Sequence, residues 1–349
     1  MAPREQILKQ LTDQAVICEK LGSPFTARVL RLLAEQPDGA NAFSERIRTW
    51  SGDPYSDNLA LRAAGALHAL ARSGSAPGLT AAYPPNPADD DALRAALVAA
   101  IGGHAAALAA GLDSAPQTNE VARSGLLLGA MLTIADRTGL PLEVYEIGAS
   151  AGLNLGFDKY RYDLGERRSW GSADAPLAIS CAWRGATPPL GAHLEVIGRH
   201  GCDLNPLEAG KPADRERLLS YVWADQAERL ARVEAALRLA ASERRDLARA
   251  DAADWLDAQF GEPQPAGIVR VLYHTIVWQY LPEATRTRIE ALLHRLGAAA
   301  TADRPLARIS FEQDGQPNRG GAIVLTLWPT GESVELGRGD FHGRWAEWN

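Results

Sequence analysis

A turn of small residues follows an apolar run in the middle of the chain. The run LEVYEI (142–147) predicts a β-strand, and the turn GASAG (148–152) comes directly after it. Side chains this small allow the backbone to approach a ligand closely. A helix predicted to begin near Leu153 would direct free N–H groups and the positive end of its dipole at the same place. The segment from Leu142 to Tyr160 therefore predicts a pocket for a nucleotide cofactor.

Acidic and polar residues end the other predicted strands of this region. Asp203 follows the apolar run 193–201, Asp251 ends the run 246–251, and His274 lies near the end of the run 267–275. In open α/β sheets the carboxyl ends of the strands face the ligand crevice. Carboxylates there could accept hydrogen bonds from a ribose or a base. The alternatives are an Asx turn at Asp203 and a helix cap at Asp251.

Tyr273 and His274 are the candidate catalytic residues. A histidine with a pKa near 6.5 can deprotonate a hydroxyl or an amine. Gln279 follows shortly after and could line the same opening. An ordered structural role for His274 remains the alternative.

The elements that must position these residues alternate between strand and helix. Residues 1–136 predict helices, and residues 137–349 predict an α/β domain with a mostly parallel sheet. An apolar hairpin at 322–336 adds an antiparallel edge. The segment 161–192 does not fit the alternation and predicts an inserted, turn-rich β region. Single helices are predicted at 58–72, 89–110, 118–136, 215–241 and 282–296, with a loop at 77–87.

Composition excludes several classes of protein. The formal net charge is -7 and no basic run is present, so no nucleic-acid partner is expected. The three cysteines, Cys18, Cys181 and Cys202, are widely spaced and define no disulfide framework. The N-terminus lacks the apolar segment of a signal peptide, and the longest apolar stretch, near 125–135, is too short to span a bilayer. A cytoplasmic protein with a small-molecule substrate and no membrane partner is expected.

The turn and the later acids resemble class I S-adenosylmethionine-dependent methyltransferases. EIGASAG is similar to the first motif of that family, with the departure that Ser150 replaces the middle glycine. The resemblance implies that Glu146 and the turn hold the methionine end of the cofactor. It implies further that Asp203 binds the ribose and that Asp251 and Ala252 contact the adenine. The implied cofactor-binding set is Glu146, Gly148, Ala149, Ser150, Gly152, Asn154, Asp203, Leu204, Asp251 and Ala252.

Most of the chain also resembles a bacterial family known only as a conserved domain of unknown function. The segments that carry this resemblance are LGSPFTARVL, QTNEVARS, YEIGASAGLNLGFDKYRYD, DLNPLE, YVWADQAERLARVEAA, WQYLP and the terminal HGRWAEW. Its sheet domain looks like a Rossmann-like class I methyltransferase fold. Polar residues in the second segment, Asn119, Glu120 and Arg123, could close a substrate site. Equally, they could be solvent-facing neighbours of a helix cap at Thr118.

Two other functions compete with a methyltransferase. Residues 148–152 also spell G-x-S-x-G, the nucleophile elbow of α/β-hydrolases, in which Ser150 would attack an acyl carbon. Its partners would be Asp251 or Asp303 and His274 or His342. The helical N-terminal region and the lack of an HGGG-like loop oppose this function. A cofactor-binding pseudoenzyme is the third possibility. No metal site is expected from the histidine and cysteine spacing.

Overall fold

The computed structural model describes residues 3–35, 41–166, 168–243, 245–316 and 319–349. In that part of the chain the α-helices are α1 Arg4–Lys20, α2 Pro24–Ala34, α3 Ala42–Arg48, α4 Leu59–Ser73, α5 Pro77–Ala82, α6 Asp90–Gly111, α7 Ser124–Thr138, α8 Pro212–Ser220, α9 Ala227–Ser242, α10 Ala252–Gln259 and α11 Glu283–Ala299. The strands are β1 Leu142–Ile147, β2 Arg161–Asp163, β3 Ser169–Trp170, β4 Ala178–Ser180, β5 Ala182–Gly185, β6 Val196–Asp203, β7 Asp246–Arg249, β8 Val269–Thr275, β9 Leu306–Glu312, β10 Gly321–Trp328, β11 Glu332–Gly339 and β12 Trp345–Trp348. Short 3₁₀ helices span Val121–Arg123, Leu153–Lys159 and Trp278–Tyr280.

The chain divides into two units. The first contains residues 1–118 and 212–234, and the second contains residues 119–211 and 235–349. The expected boundary was at 136/137. It falls earlier because α7 packs against β9 and β10 and so belongs to the sheet. The region 212–234 joins the first unit, where Asp225 accepts hydrogen bonds from the Ser23 hydroxyl and from the backbone N–H of Phe25, at the start of α2.

The first unit is helical and has an apolar core. Leu11, Leu30, Leu59, Leu67 and Leu93 are all essentially inaccessible to solvent. Burial of a leucine side chain contributes about 1.5–3 kcal/mol relative to its exposed state, so this core holds the helices together.

Helix α6 is the one helix among the described residues that is long and apolar enough to cross a membrane by length and composition. From the sequence, the longest apolar stretch was instead expected near 125–135, which lies within α7. A single helix of this kind is weak evidence of a membrane span, because core helices of soluble proteins pass the same test of length and composition. Its side chains Leu93, Leu97 and Leu108 pack into the helical core, and 33% of its apolar window is buried.

The second unit is built on a nine-stranded sheet, counted over the described residues. The strand order is β5-β12-β11-β10-β9-β8-β1-β6-β7. The five strands from β9 to β7 are parallel, and β10, β11 and β12 continue the sheet in antiparallel pairs. The expected α/β fold with a mostly parallel sheet is therefore confirmed. The expected hairpin is β10–β11, but β12 and β5 lie outside it, so it does not form the edge.

Neighbouring residues of β8 lie on opposite faces of the sheet, as successive strand residues do. On one face, Leu272 joins an apolar cluster with Tyr145 of β1 and with side chains of α10 and α11. On the other face, Tyr273 lies beside Glu146 at the end of β1. The chain leaves β1 toward β6 on one side and reaches β8 on the other, so the order reverses between β1 and β8. Ligands of open α/β sheets bind at such a switch point.

Several element predictions need correction. The predicted helix 215–241 is two helices, α8 and α9, because residues 221–226 leave the helical path and place Asp225 at the start of α2. The predicted loop 77–87 contains the short helix α5, with Pro77 in its first turn. The helix expected after Gly152 is a seven-residue 3₁₀ helix, interrupted at Gly156. The excursion at 161–192 forms a three-stranded sheet, β3-β2-β4, and contributes β5 to the edge of the large sheet.

Candidate functional site

The turn after β1 is held in an unusual backbone conformation. Gly148, Ser150 and Gly152 all have positive φ, at 70°, 54° and 65°. Glycine adopts this conformation without cost, whereas a serine there stores about 1–3 kcal/mol of strain. A side chain at Gly148 would also lie 2.4 Å from Cγ2 of Val277. The turn therefore needs its first glycine, and Ser150 is strained.

Most backbone donors of the turn are already used inside the protein. Ala149 N–H donates to the Cys202 carbonyl at 2.9 Å, and Gly152 N–H donates to the Ala149 carbonyl at 2.7 Å. Leu153 N–H donates to Oδ1 of Asn119 at 2.8 Å. These bonds fix the turn rigidly, but they leave fewer N–H groups for a ligand than the sequence suggests.

Asp203, expected to bind a ribose, closes the turn from β6. Its Oδ2 accepts from Ser150 N–H at 2.9 Å, and its Oδ1 accepts from Asn205 N–H at 2.8 Å. The second bond is an Asx turn, the alternative considered for this residue. Leu204, directly after it, is 72% exposed. A carboxylate oxygen has two lone pairs, so Asp203 retains acceptor capacity for a ligand.

Glu146 is the centre of a buried polar cluster, here called the Glu146 cluster, formed with Tyr273, Asn154 and Arg245. The Tyr273 hydroxyl donates to Oε2 of Glu146 at 3.0 Å, and both residues are essentially inaccessible to solvent. Burial raises the pKa of the Glu146 carboxyl to about 8, while the Tyr273 hydrogen bond and the Arg245 charge oppose that rise. Burial, together with the neighbouring Glu146, raises the pKa of Tyr273 well above 10.

The cluster contains hydrogen-bonding capacity that the described residues do not use. Asn154 is 1% exposed and lies close enough to the Glu146 carboxyl to lower its pKa, but neither Oδ1 nor Nδ2 makes a hydrogen bond of ordinary geometry within the described part of the chain. The Ser150 Oγ is likewise buried and unpartnered there. A buried polar atom left unpaired costs about 1–3 kcal/mol. Buried unsatisfied groups in native proteins usually mark a functional position, a water or an ion.

Arg245 was missed at the sequence level. Its side chain is 3% exposed, and Nη1 donates to the Gly152 carbonyl at 2.5 Å. It also pairs with Glu243 at 3.0 Å. Arg245 directly precedes β7, whereas the predicted acids and the histidine lie at the ends of strands. No pattern in the sequence therefore indicates a functional role for it.

Asp251 and Ala252, expected at the adenine, begin α10. The Asp251 carboxylate accepts from the N–H groups of Ala253 and Asp254 at 2.9 and 3.3 Å, so it caps the helix. Its other oxygen accepts from Thr285 Oγ1 at 3.2 Å. The helix-cap alternative is therefore present, and a base contact would have to coexist with it.

His274 is completely buried on the opposite face of β8 from Tyr273. Its Nδ1 contacts Oε1 of Glu312 at 2.7 Å, and its Nε2 contacts the Arg308 guanidinium at 3.2 Å. Burial lowers the pKa of His274. Both ring nitrogens are engaged, so a base role would require release of Nε2 from Arg308. Gln279 lies in the following 3₁₀ helix and is exposed.

The predicted substrate residues lie at the same edge of the sheet. Asn119 contacts the turn through Leu153, as described above. Arg123 donates from Nε to the Phe341 carbonyl at 2.8 Å and from Nη1 to the Thr275 carbonyl at 3.5 Å. Glu120 is fully buried and accepts from the Ala122 N–H at 3.2 Å. The structure thus brings residues 119–123 to the end of β8.

The hydrolase alternative depends on a base beside Ser150. Its positive φ is reminiscent of a strained nucleophile turn. However, within the described residues Oγ has no hydrogen-bond partner, so neither His274 nor His342 is bonded to it. Asp303 pairs with Thr301 and Arg304. The serine lacks the hydrogen-bonded base that activates such a nucleophile.

A cleft of about 560 Å³ opens beside the turn. Of the predicted cofactor-binding segment it touches Ala151, and its other walls are the loop 206–210, the end of α9 and the strand β7 with Arg245 and Arg249. Among the described residues, no three His, Cys, Asp or Glu side chains are grouped so that they could hold a metal ion.

Comparison with known proteins gives one match. A family model described as "Uncharacterized protein conserved in bacteria (DUF2332)" matches residues 8–348. No curated protein and no solved structure matched the chain. The family model covers nearly the whole sequence, including the turn 148–152, Asp203, Asp251 and the helical unit. The chain therefore belongs to the bacterial family DUF2332.

Proposed function

We propose that this protein binds S-adenosylmethionine at the carboxyl edge of β1, β6 and β8 and transfers its methyl group to a small molecule. The observation that carries the proposal is the Glu146 cluster. A buried acid and an unpaired amide lie at the switch point of the sheet, where ligands of such folds bind.

Strand order supports a Rossmann-like fold as part of this proposal. Numbered along the chain, the five parallel strands have the order 3-2-1-4-5, as in doubly wound dinucleotide-binding sheets. The strands beyond them run on as an antiparallel meander. Strain supports it as well: Ser150 and Ile276, after the neighbouring strands β1 and β8, both have positive φ. Strained residues concentrate at functional sites.

The residues present fit the cofactor. Burial raises the pKa of Glu146 to about 8, so the ammonium group of the cofactor would bind by favouring the ionised form of this carboxyl. Asn154 offers both a donor and an acceptor. Asp203 could accept from ribose hydroxyls while it holds the turn, and Ala252, Asp251 and Leu204 would lie near the base. The cofactor supplies a methyl group on a sulfonium, so the chain's own task is to orient the acceptor.

The acceptor would lie on the side of Arg123, Asn119 and Glu120, at the end of β8. Gln279, in the exposed 3₁₀ helix after β8, would line the opening. Tyr273 would act through Glu146, since its hydroxyl donates there. These assignments rest on position at the edge of the sheet.

Calorimetric titration with S-adenosylmethionine and S-adenosylhomocysteine tests the proposal. We expect binding of both, weakened by Asp203→Ala, because that variant loses a ribose partner and the Ser150 hydrogen bond. Asp303→Ala is the matched control and should bind as the wild type does, because Asp303 is exposed and its side chain contacts Thr301 and Arg304. Absence of binding at millimolar ligand would refute the cofactor assignment. Labelling of Ser150 by a fluorophosphonate would favour a hydrolase instead.

A further inference from the structure

His274 is the centre of a second buried network, here called the His274 network, formed with Glu312, Arg308 and Trp278. The 2.7 Å contact fits a proton on Nδ1 donated to Glu312. Nε2 then accepts from Nε and Nη2 of Arg308, both at 3.2 Å. The charged groups that face the ring are Glu312 and Arg308 of β9 and Glu290 of α11, which itself pairs with Arg308 at 2.6 Å. A neutral imidazole gives both ring nitrogens a partner in this arrangement, while Oε2 of Glu312 is buried without a partner among the described residues.

The network holds the turn that follows β8. Oε1 of Glu312 also accepts from Val277 N–H at 3.2 Å. The ring of Trp278 stacks on His274 with centroids 4.9 Å apart, and the Arg308 guanidinium lies 4.5 Å from the Trp278 ring. Two consecutive turn residues are thus fixed by one network. A guanidinium over an aromatic ring adds about 1–2 kcal/mol when it is partly buried.

Such fixation explains how Ile276 keeps its backbone conformation. Its φ is 53°, in the left-handed region that β-branched residues almost never adopt. Strain of about 1–3 kcal/mol persists only where the surroundings over-determine the conformation. The backbone bond from Ile276 N–H to the Phe311 carbonyl, at 2.9 Å, and the bonds at Val277 and Trp278 do so here.

The strained turn at Ile276 also contacts the turn 148–152, here called the cofactor turn. The side chain of Val277 packs against Gly148 so closely that any added Cβ would overlap it. We propose that His274 and Glu312 are positioning residues, which hold Val277 against Gly148 and thereby set the backbone of the cofactor turn. The inference rests on the proposed function for its ligand, but the positioning itself does not require the cofactor.

Hydrogen–deuterium exchange of the peptide covering residues 146–153 tests the positioning in the full chain. His274→Leu and Glu312→Ala should accelerate its exchange at least fivefold, because Val277 loses its anchor. Asp314→Asn is the matched control, since it removes a carboxylate partner of the buried Arg338 in the same unit and leaves the His274 network intact. Equal protection of 146–153 in wild type, His274→Leu and Glu312→Ala would overturn the inference.

His274→Asn separates positioning from a catalytic base and serves if His274→Leu does not fold. An asparagine amide N–H occupies the place of Nδ1–H, so it can still donate to Glu312, but it offers no nitrogen at the place of Nε2. We expect near wild-type exchange at 146–153 and an S-adenosylhomocysteine affinity within about threefold of wild type. His274→Leu and Glu312→Ala should weaken that affinity about tenfold. Unchanged affinity in both would contradict the positioning role. Failure of the wild type to bind would refute the proposed function alone, since exchange still decides the positioning.

Discussion

Two buried polar clusters lie on opposite faces of β8 near its end, the Glu146 cluster and the His274 network. They differ in how many of their polar atoms have hydrogen-bond partners. In the His274 network both ring nitrogens, the guanidinium and the shared carboxylate oxygen have partners, and Oε2 of Glu312 is its one buried polar atom without a partner among the described residues. In the Glu146 cluster the carboxyl is desolvated and the neighbouring amide is unpaired within the described residues. A satisfied network rigidifies a fold, whereas an unsatisfied one keeps binding capacity for something else. We therefore expect the His274 network to hold the fold, and the Glu146 cluster is the proposed ligand site.

The largest expected effect is at Glu146. With a folded pKa of about 8 against 4.5 unfolded, its carboxyl favours the folded state below pH 4.5 and loses that contribution as pH rises toward 8. Glu146→Gln should therefore raise the free energy of unfolding at pH 8 by on the order of 3 kcal/mol. The same variant should weaken S-adenosylmethionine binding about 100-fold, since a charge-assisted contact is lost. Urea unfolding and calorimetry measure the two effects.

Glu143→Gln, on the same strand, is its control. His200 hydrogen-bonds this carboxylate at 3.2 Å and holds its pKa below the usual range. Its contribution is present above the unfolded pKa and is lost as pH falls. Glu143→Gln should thus destabilise the protein at pH 8 and leave cofactor affinity unchanged. If both glutamine variants shift stability in the same direction, the distinction between the two acids fails.

The next largest effect is expected for Gly148→Ala. Gly148 packs against Val277, which the His274 network holds, so the substitution affects the contact between that network and the turn 148–152. The substitution forces a side chain into positive φ and against Val277, and we expect a loss of roughly 2–4 kcal/mol in unfolding free energy. Gly139→Ala has nearly the same φ, 65°, but no heavy atom within 4 Å of the added carbon. It should cost only about 1 kcal/mol. Equal losses in thermal or urea unfolding would mean that Val277 yields freely.

Sequence reasoning found the edge of the sheet but not the state of its side chains. Strand ends at Glu146, Asp203 and His274 follow from apolar runs, because a strand must bury its side chains. That Glu146 would face Tyr273 while His274 faces Glu312 depends on register between distant strands, which a single sequence does not reveal. Glu312 was nevertheless detectable, since it ends the run PLARISFE (305–312), whose apolar residues predict a further strand of the same sheet.

Other features had no local signal. The 3₁₀ helix after Gly152 replaces an expected α-helix, and the hydrogen bonds of Asn119 and Asp203 to the turn join residues 34 and 53 positions apart. Arg245 reaches Gly152 across 93 positions. Long-range polar contacts of this kind leave no periodicity, so they could not be predicted.

The pH dependence of the His274 network gives a smaller effect of opposite sign to that of Glu146. Burial lowers the pKa of His274, so its neutral form stabilises the folded state fully above the unfolded value near 6.5. Stability should fall as pH drops below 6.5, because the unfolded chain binds the proton more readily. We expect His274→Asn to flatten this slope between pH 6.5 and 5 in urea titrations. A slope unchanged by the substitution would assign the pH dependence to other groups.

The smallest expected effect is at Ser150, the residue that divides the methyltransferase from the hydrolase. Its hydroxyl is buried without a partner in the described chain, and its φ is 54°. Ser150→Gly relieves the backbone strain and removes the unpaired oxygen, offset by the flexibility of glycine in the unfolded chain. We expect a change within about 1 kcal/mol, toward greater stability, and cofactor affinity at least equal to wild type. Ser150→Ala keeps the strain while removing the oxygen, so the difference between the two variants measures the strain less the extra flexibility of glycine in the unfolded chain. A loss of cofactor binding in both variants would instead mean that the Ser150 hydroxyl contacts the ligand, as proposed for the Glu146 cluster.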